Sequence, residues 1–374
     1  MLPLETEGLV TESSKAGFKL MPVILDDMRS DEVLVEMKYS GICHTDIVGA
    51  SGGYDYILDF PAALGHEGAG FIRAVGADVQ NPALKVGSAV ILSFTHCGNC
   101  GNCSAGHPAC CDNFEILNCG AKRLDGSVTG RLADGRRLVG QFFGQSSFLK
   151  HSIVSQHSVV PCPYPEDLAL YSALGCGFQT GAGTVLNSLR PSAGNSVVVF
   201  GVGTVGMSAI MGAKYLGVRQ IIAVDVAESK LELARELGAT HVLNSRKVAD
   251  MVKEIRDICP GGVRFAIECA GIDVLMEQML DCVCCGGIAA VVGVPKPDFV
   301  LKVDPMRLLH ENKTLKGICQ GDSVADKFIP EMMEMHRSGS FPLEKLCKFY
   351  DVEDYEQVLR DISEGKVLKA ILKW

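Results

Sequence analysis

Residues 97–111 read CGNCGNCSAGHPACC: Cys97, Cys100 and Cys103 recur at an interval of three, and an adjacent pair, Cys110 and Cys111, closes the stretch. The Gly and Asn between them prevent a continuous helix or strand. A tight loop of this spacing can bring three thiolates to one structural zinc, with a fourth at about 2.3 Å completing the tetrahedron. That fourth ligand is Cys110 or Cys111. Neighbours in an extended segment point opposite ways, so one faces the metal and the other away, and spacing alone does not choose. An iron–sulfur run would continue C-x₃-C-P, whereas here the next cysteines follow Cys103 by seven and eight residues. Three further fragments, GICHTD (41–46), LGHEGAG (64–70) and GCGFQTGAG (175–183), set Cys43, His66 and Cys176 beside glycine. Taken singly, each is as well explained as an ordinary buried side chain.

A second chemistry is written at 196–239. The apolar, β-branched run Val197 to Phe200 ends at Gly201-x-Gly203-x-x-Gly206, a helix-compatible stretch follows to Leu216, and a second run, Ile221 to Val224, ends at Asp225. This order fits a dinucleotide fingerprint. Gly201 permits the tight turn, Gly203 lets the backbone approach a pyrophosphate, and Gly206 lets helix and strand pack closely. Asp225 lies nineteen residues after Gly206, near the spacing of about 20 expected for an acid on the adenosine ribose hydroxyls. A carboxylate there repels a 2′-phosphate, so NAD is expected rather than NADP. Further strands are expected at 242–244, 265–268, 288–294 and 315–318, separated by helical stretches. Such alternation implies an α/β fold with a doubly wound parallel sheet.

The elements that must position these groups belong to an ordinary folded chain: 374 residues, 47% hydrophobic and 21% charged. A net charge of −9 without a run of Lys or Arg argues against nucleic acid and anionic membrane as partners. No stretch approaches the roughly 20 apolar residues of a membrane span. The N-terminal stretch is acidic and lacks a secretory pattern, and sixteen cysteines in such a chain point to a reducing, cytoplasmic setting in which thiols stay reduced or bind metal.

Together these motifs resemble the zinc-dependent medium-chain alcohol dehydrogenases, from the GICHTD region to the terminal EGKVLKAILKW, and most closely the aryl- or benzyl-alcohol branch. The resemblance implies a β-rich, GroES-like catalytic domain (1–174 and 318–374), an inserted Rossmann domain (175–317), and an active site in the cleft. It implies two zinc ions per chain. A catalytic one is held by Cys43, His66 and Cys176, and a structural one in the lobe by Cys97, Cys100, Cys103 and Cys111; the family's lobe spacing selects Cys111 and leaves Cys110 spare. Hydride would pass reversibly between a zinc alkoxide and NAD. Thr45 matches the hydroxyl that takes the substrate proton, Asp46 the carboxylate that orients His66, and Glu67 the acid behind the metal. His44 and Lys369 match basic groups offered to the cofactor pyrophosphate, and Lys230 a ribose contact. Many family members carry a histidine three residues after the hydroxyl as a proton relay; here that position is Val48, so a steeper pH dependence of turnover is expected.

Phe94, Phe142, Phe143, Val294 and Ile318 correspond to the family's substrate channel. The aromatic residues, with GQSSF (144–148) and GICQGDS (317–323), favour an aromatic or allylic primary alcohol and its aldehyde. Oxidation of a glutathione adduct of formaldehyde is the nearest rival, and it wants basic residues where Asp112 and Glu115 stand. A non-catalytic NAD-binding structural or regulatory protein is the alternative outside enzymes. The run GGIAAVVGVPKP (286–297) is expected to form a sheet edge that pairs with a second subunit, giving a homodimer, with a tetramer as the larger option. RLDGSVTGRLADGRR (123–137) reads as an exposed hairpin, and the ten cysteines outside the zinc sets as packing residues.

Overall fold

The structure, a computed structural model, describes residues 3–296 and 298–374. Its contacts divide the chain into two units. One runs through Cys176 and adds Val324–His336 and Leu343–Trp374; the other comprises Gly177–Ser323 and Arg337–Pro342. The boundaries thus fall at 176/177 and 323/324 rather than 174/175 and 317/318, which keeps Cys176 with the other expected ligands.

The first unit begins with ten strands: β1 (Leu4–Thr11), β2 (Lys19–Leu25), β3 (Glu32–Ile42), β4 (Ala62–Ala63), β5 (Gly68–Val75), β6 (Ala89–Leu92), β7 (Gly130–Leu132), β8 (Arg137–Leu138), β9 (His151–Ser155) and β10 (Val159–Pro161). One sheet runs β4-β1-β2-β7-β8. The expected hairpin at 123–137 is therefore not a free excursion: β7 pairs with β2, and Leu132 and Leu138 join the core with Val23 and Leu25. Arg123 also docks on the buried Glu32 through both carboxylate oxygens, at 2.6 and 2.7 Å.

The second unit carries β11 (Ser196–Phe200), β12 (Gln220–Asp225), β13 (His241–Asn244), β14 (Val263–Glu268), β15 (Val283–Val291) and β16 (Thr314–Gly317), in the order β13-β12-β11-β14-β15-β16. Every pairing is parallel. Val197 to Phe200 are all buried, as befits a strand covered on both faces, and their core continues through Met251, Met276 and Met279. Of the expected sheet edge at 286–297, residues 286–291 lie in β15, which is flanked by β14 and β16, so their backbone groups are taken on both sides; residue 297 lies outside the described residues. β15 also starts earlier than expected and takes in Cys284 and Cys285. Cys285, Cys110 and Cys319 are exposed, so packing does not account for them.

The chain then returns to the first unit with β17 (Cys347–Asp351) and β18 (Lys369–Lys373). β18 lies antiparallel to β3, completing a sheet ordered β10-β6-β5-β3-β18-β17, with β9 also on β3. Alternation along β3 sends Val33, Val35 and Met37 into a core with Ile72, Val90 and Leu92. The end of β3 delivers Cys43, and the start of β5 follows directly on His66 and Glu67.

Candidate active site

Cys43 precedes the helix His44–Ala50, and Asp46 in the first turn reaches back so that its Oδ2 accepts the Cys43 N–H at 2.9 Å. The other oxygen, Oδ1, accepts the Gly65 N–H at 3.0 Å and lies 2.7 Å from Nδ1 of His66. One buried carboxylate thus fixes two ligand-bearing segments and the ring orientation of the histidine, whose Nε2 lies 3.2 Å from Sγ of Cys176. Ligand atoms of Cys43, His66, Glu67 and Cys176 all lie within 4.8 Å of one another. Two thiols, an imidazole and a carboxylate converging in a buried place suit a borderline-soft cation, and three N/S donors are the set a catalytic zinc uses.

As side chains alone the cluster is strongly perturbed. The hydrogen bond from Cys176 holds the Cys43 thiol well below its usual value, helped by His66 against the effect of burial. The same bond, with burial, pushes Cys176 well above. Burial presses His66 down, but Asp46 and Cys43 outweigh it and the imidazole stands well above its ordinary range. Metal binding to such a set displaces protons. Burial pushes the Glu67 carboxyl up and pulls Lys369 down; for the lysine, the Glu67 charge outweighs burial and raises it.

Lys369 has a partner in the catalytic unit that the sequence did not announce. It is buried, with Nζ 2.7 Å from both oxygens of Glu67 and 3.2 Å from the Ile42 carbonyl. An ammonium has three donors, and both Glu67 oxygens and the Ile42 carbonyl lie within reach of them. Gly41 makes room for this pair: a Cβ there would lie 3.0 Å from Cβ of Glu67 and closer still to Oε2. Thr45 is half-buried, with its hydroxyl 3.7 Å from Sγ of Cys43, whereas His44 is exposed and Val48 half-buried.

The expected phenylalanines gather around His66. Phe143 stacks on the imidazole at 4.5 Å and 25°, and Phe142 meets it edge-on at 5.7 Å. Phe94 is a step removed, reaching Phe143 through Phe114. Phe142 is 0% and Phe143 5% exposed, so Phe142 packs behind the histidine and offers no open wall. Val294 and Ile318 lie in the other unit, 58% and 6% exposed. Sequence reasoning missed Tyr54, whose ring lies 6.4 Å from Phe142.

In the lobe, the thiols of Cys97, Cys100, Cys103 and Cys111 all lie within 4.8 Å of one another, while Cys110 is exposed. The backbone N–H of Cys97 points to Sγ of Cys111 at 3.3 Å. Hydrogen bonds outweigh burial to bring Cys97 down to about 6, while burial and Cys100 push Cys103 up to about 12. Buried Asn118 closes the base of the lobe: it accepts the Thr95 N–H at 2.9 Å and donates to the carbonyls of Thr95 and Phe114 at 3.0 and 2.7 Å. No spacing rule had marked it.

In the nucleotide-binding unit, Gly201 adopts φ 82°, and a Cβ there would sit 2.7 Å from that of Ala270. A Cβ on Gly206 would strike the Gly201 carbonyl, but one on Gly203 would meet nothing within 4 Å, leaving open space where a pyrophosphate must approach. Asp225 accepts the N–H of Val202 at 2.9 Å, Val226 at 2.8 Å and Ala227 at 3.0 Å, tying the glycine turn to the end of β12. A cavity of ≈ 350 Å³ opens beside it between Gly201, Asp225, Ser245 and Ala270, at the point where the strand order reverses, as expected for dinucleotides. Lys230 is half-buried on the helix Glu228–Leu237. Buried Glu268, also missed, accepts the N–H groups of Ala270 and Gly271 at 2.8 and 3.1 Å and so shapes the facing loop.

Residues 29–164 match the family model of the alcohol dehydrogenase GroES-like domain, and residues 204–337 that of the zinc-binding dehydrogenases. A geraniol dehydrogenase from Castellaniella defragrans is 37% identical over 94% of this chain and 93% of its own length. An alcohol dehydrogenase zinc-binding domain protein from Burkholderia ambifaria superposes with a TM-score of 0.94 at 42% identity, over 99% of both chains. The benzyl alcohol dehydrogenase of Acinetobacter calcoaceticus follows at 0.92 and 38%, again over 99% of both. Among the described residues no helix is long and apolar enough to cross a membrane. Likeness of this extent, on a chain whose thiols and histidine converge as described, means that the chain belongs to the zinc-dependent medium-chain alcohol dehydrogenases.

Proposed function

We propose that this chain oxidises an aromatic or allylic primary alcohol reversibly to its aldehyde, with NAD as the hydride acceptor. The observation that carries the reading is the convergence of Cys43, His66 and Cys176 under Asp46, with Phe143 stacked on the histidine. The relatives that act on geraniol and benzyl alcohol support the substrate class. When bound, zinc supplies a Lewis acid that makes an alcohol oxygen more acidic, and the nicotinamide accepts the hydride.

The chain's own residues do the rest. Cys43, His66 and Cys176 hold the catalytic ion, and Cys97, Cys100, Cys103 and Cys111 a second, structural one. Asp46 holds the His66 ring through Nδ1, which turns Nε2 toward the thiols. The Thr45 hydroxyl accepts the substrate proton, and Val48 cannot pass it on, so water and the ribose hydroxyls must. Glu67 is kept on Lys369. Asp225 meets the ribose diol and disfavours a 2′-phosphate; Gly201, Gly203, Gly206, His44 and Lys230 complete the cofactor contacts. A cytoplasmic setting is part of the same reading, as is a homodimer.

The test follows nicotinamide reduction by near-ultraviolet absorbance, with NAD or NADP, against benzyl, cinnamyl, allylic terpene and short aliphatic alcohols. Turnover of the first three with NAD, and little with ethanol or NADP, is the expected result. Equal rates with ethanol would remove the substrate class, and a preference for NADP the role of Asp225.

A further inference from the structure

We infer that Gln145 is a positioning residue of the metal site, which sets the His66 segment and, through Ser93, the approach to Cys176. The inference rests on the reading of Cys43, His66 and Cys176 as ligands. Gln145 is buried, and its amide bonds in three directions: Oε1 accepts the Gly68 N–H at 3.0 Å, and Nε2 donates to the His66 carbonyl and the Ser93 carbonyl, both at 2.9 Å. Ser93 in turn donates its hydroxyl to the carbonyl of Gly175, the residue before Cys176, at 2.8 Å. One side chain therefore clamps the segments leading to two ligands.

Its neighbours extend the template. Ser146 donates to the Ala63 carbonyl at 2.7 Å, the N–H groups of Ser147 and Phe148 donate to the carbonyls of Gly65 and Leu64 at 2.9 and 3.0 Å, and the Ser147 hydroxyl lies 2.7 Å from that of Ser40, just before Cys43. The turn stores strain to do this. Phe143, Gly144 and Ser146 have φ of 53°, 68° and 50°, a conformation costly for residues with a Cβ that persists only when the surroundings over-determine it. The same turn lays Phe143 on the His66 ring. Backbone held on both sides of a ligand, rather than the side chain alone, keeps a donor set at its working geometry.

The experiment replaces the catalytic ion with Co²⁺ in the holoenzyme and compares wild type with Gln145→Met, which keeps length and bulk but no hydrogen bonds. Thiolate-to-cobalt and d–d absorption report geometry, and a chromogenic chelator reports release of cobalt against release of lobe zinc. Altered bands, about 10–100-fold faster cobalt release, unchanged lobe zinc and a lower kcat at constant KM for NAD are expected. Bands and release equal to wild type, with only a lower melting temperature, would overturn the inference. If Gln145→Met does not fold, Ser93→Ala decides: it removes only the hydroxyl on Gly175, and a shifted thiolate band supports the inference while an unchanged one defeats it. A wild type with no thiolate–cobalt band would sink the ligand reading itself, and the inference with it.

Discussion

Asp46→Asn isolates the hydrogen-bonding logic of the site because it changes neither volume nor shape. The carboxylate of Asp46 accepts three hydrogen bonds with its two oxygens: Oδ1 takes Gly65 and His66, and Oδ2 takes the Cys43 N–H. An amide has a single acceptor oxygen. Placed at the Oδ1 position, it preserves the bonds to Gly65 and His66 but turns an NH₂ toward the Cys43 N–H; the reverse flip loses two bonds instead of one. The first arrangement therefore wins, and it orphans the backbone of a ligand in a buried place at a cost of about 1–3 kcal/mol. At about 1.4 kcal/mol per factor of ten, that predicts weaker catalytic metal binding by about 5–150-fold, in line with the roughly 10–100-fold usual for outer partners of metal-bound histidines. A chelator competition on the purified holoenzyme, with the lobe ion as internal reference, measures it. Catalytic metal retained as in wild type, or faster loss from the lobe instead, would refute the reasoning.

Gly41→Ala should displace Glu67 from Lys369, since the new methyl lies within contact of its Cβ and carboxylate; overpacking of this kind costs about 1–3 kcal/mol, read as a lower melting temperature of the catalytic unit. Gly206→Ala drives a Cβ into the Gly201 carbonyl, so NAD affinity measured by fluorescence titration should fall while both metals stay bound. Val48→His should broaden the pH range of turnover, and an identical pH–rate profile would count against the shortened relay. In the lobe, Cys111→Ser should lose the structural ion on metal analysis whereas Cys110→Ser keeps it, since only the former belongs to the thiol cluster.

The glycine turn and the parallel sheet were legible because sterics and burial leave marks at fixed spacing: Gly201 is needed for its left-handed backbone, and β11 and β12 contain the apolar runs Val197–Phe200 and Ile221–Val224. The ligands were legible only collectively, through family order, because one buried cysteine looks like another. The braces were not legible. Gln145 bonds to residues 79 and 52 positions away, and no period in the sequence announces a buried amide that serves someone else's backbone; GQSSF marked the place without its reason. The pairing of Lys369 with Glu67 was hidden for the same cause, since its partner lies 302 residues earlier. Residues 286–291 looked like an edge and are interior to the sheet, because an apolar run looks alike whether one or two strands cover it.

That separation has a consequence for how the protein is made. β18 is the last strand of the chain, and it pairs with β3 near the start. Contacts between such distant residues form late, because the entropy of closing the loop between them must be met before they stabilise anything. On the ribosome, the ligands Cys43, His66 and Cys176 and the whole nucleotide-binding unit emerge while β3 still lacks this neighbour and Glu67 still lacks its counter-charge. Domains that fold during synthesis do so from the N-terminus onward, so this catalytic unit is begun first and finished last. Its metal pocket reaches its final form only once the strand carrying Lys369 has paired with β3.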